Sequence, residues 1–185
     1  MENRIILRVI KGLPHAVAAA NVVRPDETII CLDDESFDFF KSIGLENQIL
    51  RRDEFLNPFH SKMYFLLEYS IDNPNTEIIF MDAFIRILEP EYYDLLEYDK
   101  STPGVYCPTY WNVFRDEIQG EKTTMPLAKV LIAKNCDTHM LGEYVFNASK
   151  KRIFREGKFS YYNSRDKGYG IEEQVLENSF LILFI

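Results

Sequence analysis

The sequence predicts an α/β fold, with helices flanking a mostly parallel sheet, from three observations. The chain opens with two strand–helix units in succession, with apolar runs at residues 5–10 and 28–32 each followed by a helical pattern. The stretch 77–88 then carries Ile78, Ile79, Phe80 and Met81 consecutively. A short run apolar on both faces suits a strand in the middle of a parallel sheet. Finally, the second and central strands end at carboxylates, Asp33-Asp34 and Asp82. Open α/β sheets bind ligands outside the carboxyl ends of their strands. Asp82 is therefore either a ligand-site carboxylate or the first residue of a turn between two strands.

Each element has a local cause. The first strand ends at Lys11-Gly12, and Pro14 opens an alanine-rich helix that Arg24-Pro25-Asp26 breaks. The turn lacks the Gly-x-Gly-x-x-Gly fingerprint, so a standard dinucleotide site is disfavoured within this Rossmann-like start. After the second strand a helix is expected over 35–43, with Phe37, Phe40 and Ile43 as its candidate inward residues and Gly44 as its C-cap. Residues 48–51 read as a short third strand. A helix over 59–71 follows, with Phe59, Met63, Leu66, Leu67 and Ile71 at amphipathic spacing. Asp72-Asn73-Pro74-Asn75 stops it before the central strand. Beyond that, a helix is expected from Glu89-Pro90-Glu91 and strands at 104–108 and 127–133. A loop is expected over 113–124, a helix over 137–147, weak strand character over 150–165 and a helix over 171–178.

Composition narrows the classes. The 185 residues suffice for one domain with a sizeable core, and one domain over 1–185 is the expectation. The net charge of −8 opposes a general nucleic-acid-coating role. The basic cluster Lys150, Lys151, Arg152, Arg155 and Lys158 is either a local patch or a solvated face. Cys31, Cys107 and Cys136 form no Cys-x-x-Cys pair, which disfavours structural zinc. Two of them sit in apolar runs and read as buried thiols of a reducing compartment. No stretch approaches the ~20 apolar residues of a spanning helix, and charges interrupt the N-terminal apolar run, so a cytoplasmic protein is expected. The last six residues, Phe180 to Ile185, are all apolar. They are expected to be buried in the core or in a partner, or to lead into a longer chain.

The succession of these pieces resembles the GT-A-fold glycosyltransferases. Two β-α units end in Asp33-Asp34. A helix carrying His60-Ser61-Lys62-Met63-Tyr64 precedes the central strand, which delivers Phe80-Met81-Asp82-Ala83-Phe84. Residues 127–133 look like the strand lining the sugar pocket, and Gly170-Ile171-Glu172-Glu173-Gln174 resembles the family's acidic-Gln element. The likeness spans roughly residues 5–178. It implies transfer of a hexose from a UDP- or GDP-sugar to the hydroxyl of a saccharide or other acceptor. It departs from the family at the usual Asp-x-Asp, where Phe84 replaces the second acid, and near the end, where the chain stops soon after the acidic-Gln element.

The resemblance also implies roles. Asp82 would contact the donor and its Mn²⁺ or Mg²⁺, an ion that prefers oxygen ligands and neutralises the leaving diphosphate. With Phe84 at the second position, another ligand would come from elsewhere, and Asp137 and His139 suit it chemically. Lys62 would balance phosphate charge or is a surface lysine. Asp33 and Asp34 would accept from the donor base or cap the following helix. Glu173 would act as the carboxylate at the acceptor and Gln174 would reach the donor, or the acids at 172 and 173 complement a helix dipole. Trp111 would stack on a sugar ring or belongs to the core. Two alternatives stay open. One is a GT-A-like binding domain without catalysis, completed by an oligomeric or other partner over the apolar C-terminus. The other is a phage-type DNA-base glucosyltransferase using the basic segment.

Overall fold

The computed structural model describes residues 3–85, 102–107, 109–111, 124–126, 130–156 and 182–184. The elements in chain order are β1 (Arg4–Ile10), α1 (Leu13–Ala20), β2 (Glu27–Cys31), α2 (Asp34–Ser42), β3 (Gln48–Arg51), α3 (Pro58–Asp72) and β4 (Glu77–Met81). Then come β5 (Gly104–Cys107), β6 (Thr109–Trp111), β7 (Thr124–Pro126), β8 (Val130–Lys134), α4 (Thr138–Glu156) and β9 (Ile182–Phe184). Seven strands form one sheet in the order β3-β2-β1-β4-β8-β5-β9, and β6 pairs with β7 in a separate antiparallel ribbon. Within the sheet only β8 runs against the rest, antiparallel to both β4 and β5. The α/β class and the mostly parallel sheet are as the sequence predicts.

Helix starts follow from capping chemistry. Gly12 adopts φ 82°, a left-handed value at the turn where β1 gives way to α1, with Pro14 in the first helical turn. Asp33 caps α2 by accepting from the Ser36 N–H, and Asn57 caps α3 by accepting from the His60 N–H. Asp137 accepts from the Met140 N–H at the start of α4. Gly44, at φ 67°, ends α2 as expected.

The core lies on both faces of the sheet. On one face α3 and α4 pack over Leu7, Ile78, Phe80, Val105, Leu131 and Ala133 through Met63, Leu66, Leu67, Tyr144 and Ala148. Across α3 and α4 the buried His60 ring lies 2.7 Å by its Nδ1 from the Tyr144 hydroxyl. On the other face α1 and α2 cover Ile10, Ile29 and Cys31 through Ala16, Ala19 and Phe40. Every residue of β4 is buried, as a central strand requires.

Several expectations need correction. Residues 150–156 continue α4 rather than forming weak strand. Phe59, read as inward, is exposed in the first turn of α3, where its ring lies beside Lys62. Ile43, a candidate inward residue of the second helix, is exposed. Thr124 belongs to β7 rather than to a loop. The strand read at 127–133 is described from Val130 to Lys134. Part of the apolar C-terminal run pairs as β9, parallel to β5. The expected helices at 89–96 and 171–178 lie outside the described residues.

Phe80 and Phe84 are the same residue type four positions apart, one buried and one exposed. Phe80→Ala is expected to cost about 3–5 kcal/mol through lost burial and an unfilled cavity. Phe84→Ala is expected to stay within about 1 kcal/mol. Urea unfolding of the two variants checks the contrast.

Candidate functional site at the switch point

From β1 the chain steps outward through α1 to β2 and α2 to β3. It then returns on the opposite face through α3 to place β4 on the other side of β1. Crossovers diverge between β1 and β4, which opens a crevice at the carboxyl ends of these two strands. The residues that emerge there are Lys11-Gly12 from β1 and Asp82-Ala83-Phe84 from β4.

Asp82 immediately follows β4 and is half-buried. Its Oδ1 accepts from the Ala83 N–H at 3.0 Å. Its carbonyl accepts from the Ile85 N–H at 3.0 Å and from Arg8 Nη1 at 2.7 Å. Asp82 therefore starts a turn, and that turn stands at the carboxyl end of β4. Ala83 is buried against the α1 and α2 face. Phe84 is 61% exposed and rests on His15 of α1, ring centroids 5.6 Å apart.

Beneath this turn lies a buried ion pair. Arg8 and Glu27 side chains have no exposed surface. Arg8 Nε donates to Glu27 Oε2, and Nη2 donates to Oε1 at 3.2 Å. Arg8 was not among the residues singled out from sequence. The available signal was a charge at an interior position of an apolar strand, which demands a buried partner.

Asp33 stands across β1 from Asp82, two strand spacings or about 10 Å away laterally. Its Oδ1 accepts from the Ser36 N–H at 2.8 Å and the Ser36 hydroxyl at 2.6 Å, and its Oδ2 accepts from the Gly12 N–H at 2.6 Å. The capping alternative is thus realised, and the same carboxylate ties the β1 turn to α2. Partial burial works to raise the Asp33 carboxyl, but the Ser36 and Gly12 hydrogen bonds and the Lys11 charge outweigh it. The net result is a carboxyl below its ordinary value. Asp34 is exposed and pairs with Arg51 at 2.8 Å. Cys31, just below, is pushed up to about 11, first by burial and further by the Asp33 charge, against a hydrogen bond with Ser36 and the Arg51 charge.

Lys62 occupies the second turn of α3 and is buried, its Nζ 5.4 Å from the Phe80 ring centroid and 5.5 Å from that of Phe59. It is therefore not a surface lysine. Asp137 and His139 do not join Asp82. Antiparallel β8 sets Ala133 level with Ile78 and Val130 level with Met81. The chain after β8 therefore lies at the amino end of β4, a strand length or about 13 Å from Asp82. The Asn75 N–H donates to Asn135 Oδ1 at 2.8 Å at that end. Only the backbone of Trp111 is described, in β6. Glu172, Glu173 and Gln174 lie outside the described residues, as do the side chains of the basic cluster. Among the described residues no three His, Cys, Asp or Glu side chains group as a metal site. Among the described residues a divalent ion at this turn would find one carboxylate, Asp82, and would need its remaining oxygen ligands from a diphosphate and water.

No protein-family model and no curated protein matches the chain. Solved structures do. The glycosyltransferase GlyE of Streptococcus pneumoniae TIGR4 aligns over 100% of this chain and 45% of its own length, with TM-score 0.54 and 11% identity. The bifunctional IspDF of Campylobacter jejuni aligns over 99% and 49%, with TM-score 0.52 and 10% identity. CMP:2-keto-3-deoxy-manno-octonic acid synthetase, complexed with CTP, aligns over 99% and 89%, with TM-score 0.50 and 10% identity. The chain thus spans less than half the length of GlyE and most of the synthetase. These likenesses show a GT-A-like fold. Among the described residues no helix is long and apolar enough to cross a membrane.

Asp33→Ala removes a cap and the tie to Gly12, and is expected to cost about 1–2 kcal/mol in denaturant unfolding. Because the folded carboxyl lies below its ordinary value, its contribution is complete above the unfolded value of about 3.9 and is lost as pH falls through the folded one. The stability gap between wild type and Asp33→Asn should therefore shrink as pH is lowered below about 4. Iodoacetamide at pH 8 should leave Cys31 unmodified in the native protein and alkylate it in urea, as read by peptide mass mapping.

Proposed function

We propose that the chain is a nucleotide-sugar-dependent transferase of the glycosyltransferase kind, moving a hexose from a UDP- or GDP-sugar to an acceptor hydroxyl. The observation that carries the reading is the position of Asp82. It is a half-buried carboxylate following the central strand, at the crevice where the crossovers of a GT-A-like sheet diverge. In this reading Asp82 orients the donor and supplies one oxygen to Mn²⁺ or Mg²⁺. When bound, that ion neutralises charge on the departing diphosphate. Asp33 holds the Gly12 turn that borders the donor, and Asp34 extends the same edge. Lys62, over the Phe80 ring of β4, adds positive potential as a point charge. Glu173 is the proposed carboxylate at the acceptor hydroxyl, and Gln174 a contact to the donor sugar. The acceptor class proposed is a saccharide or another hydroxyl compound.

The exposed Phe84 favours a second reading, a binding domain of the same fold that holds a nucleotide without turnover. An aromatic ring stands where a second metal carboxylate would be expected, and it packs on His15. The two readings share donor binding and differ in product formation.

Scanning fluorimetry with UDP- and GDP-sugars, with and without Mn²⁺, tests the shared step. Nucleoside triphosphates belong in the same panel, given the synthetase's fold. Ligand at a hundred times its Kd adds about 2.7 kcal/mol, or roughly 5–10 °C for a chain of this size. Asp82→Asn is expected to weaken binding at least tenfold. Unchanged melting across the panel would overturn both readings. Release of nucleoside diphosphate, followed by chromatography, separates the transferase from the binding domain.

A further inference from the structure

We propose that Arg8, braced by Glu27, is the positioning residue of the Asp82 site, a buried clamp that sets the direction in which the β4 turn presents its carboxylate. The inference rests on the donor-site reading above. Three of the guanidinium's donors are committed. Nε and Nη2 grip the two Glu27 oxygens, and Nη1 donates to the Asp82 carbonyl at 2.7 Å. Glu27 begins β2 level with Ile6, and Arg8 lies within β1 one residue past Leu7, which is level with Phe80, so the clamp links three adjacent strands from below the β4 turn. The Asp82 carbonyl also accepts from the Ile85 N–H, and Oδ1 accepts from the Ala83 N–H. Fixing that carbonyl therefore fixes the peptide plane from which the whole turn, and the carboxylate with it, departs.

Stability alone does not explain such a pair. Two charges with no exposed surface lose their hydration, and apolar residues of equal volume often serve a core as well or better. What apolar residues cannot supply is a directed hydrogen bond to one carbonyl. The bidentate grip on Glu27 holds the planar guanidinium in one orientation, so that its remaining edge points at Asp82. Arg8 touches no crevice surface and acts only through the turn.

The test uses the double variant Arg8→Met/Glu27→Leu, which removes both charges together, and Arg8→Lys, which keeps a charge opposite Glu27 but not the forked geometry. The double variant is expected to melt no lower than about the wild-type temperature. Hydrogen exchange at the Ala83 and Ile85 amides should rise at least tenfold relative to Ile79 and Phe80 within β4. The affinity for Mn²⁺ with a UDP-sugar should fall at least tenfold. Arg8→Lys is expected to show the same selective loosening and stands in if the double variant does not fold. Unchanged exchange at Ala83 and Ile85, or unchanged donor affinity despite loosening, overturns the clamp. If wild type binds no nucleotide sugar, the donor-site reading fails. Selective loosening would then still support the clamp as the device that holds the turn, and its absence would overturn it.

Discussion

The parallel pairing of β4 with β1 is the constraint from which the rest of the molecule follows. The pairing sets Leu7 level with Phe80 and so carries Asp82 just past the end of the ladder. It requires the chain to return from β3 on the face opposite α1 and α2, which fixes where α3 lies. It opens a crevice between divergent crossovers and leaves the other flank of β4 for β8. A strand paired on both sides and covered on both faces takes apolar residues or charges with a buried partner, and β4 has Ile78 to Met81 after the ion-paired Glu77. The first polar residue after such a run is forced to the sheet's edge, where it is either a turn residue or a ligand residue. Asp82 starts a turn there.

Side chains at the crevice also hold it together. Asp33 spends its carboxylate on the Ser36 and Gly12 donors, which welds the first turn to the second helix. Arg8 spends its guanidinium on Glu27 and the Asp82 carbonyl, which welds the β4 turn to the first two strands. The result is a rim of backbone held by buried or half-buried charge, while Phe84, Leu13 and Val17 remain exposed on it. Binding geometry is most dependable when the supporting groups are locked by packing and hydrogen bonds, and both turns meet that condition. The fold is shared with enzymes that include a glycosyltransferase and a synthetase complexed with CTP, so the chemistry has to be argued from these side chains rather than from the architecture.

Much of the fold was legible because its signals are local. Alternation, Pro at helix starts, capping Asp and Asn, and Gly44 at the end of α2 each act within a few residues, and β1 through β4 were placed nearly to the residue. The errors came where a distant contact decides. Residues 150–156 carry β-favouring and charged side chains, yet continue a helix that begins at Thr138. Phe59 has the spacing of a core residue but sits exposed in the first turn of α3. Asp137 and His139 are chemically suitable metal ligands, and the antiparallel direction of β8 carries them to the wrong end of β4. Strand direction leaves little trace in a five-residue apolar run, because the side-chain pattern reads the same in either sense.

By itself the sequence determined that this is an α/β chain with a buried central strand and an acid at its mouth. Burial and periodicity are written residue by residue, and a run of four apolar residues admits few other uses. It did not determine which groups stand around that acid. Only the tertiary structure decided that Arg8 and Glu27 meet beneath it, that Asp33 is engaged by Gly12 and Ser36, and that Phe84 packs on His15. These partners are brought together by strand order and crossover hand. They cost and stabilise through contacts between residues far apart in the chain, which no local pattern records.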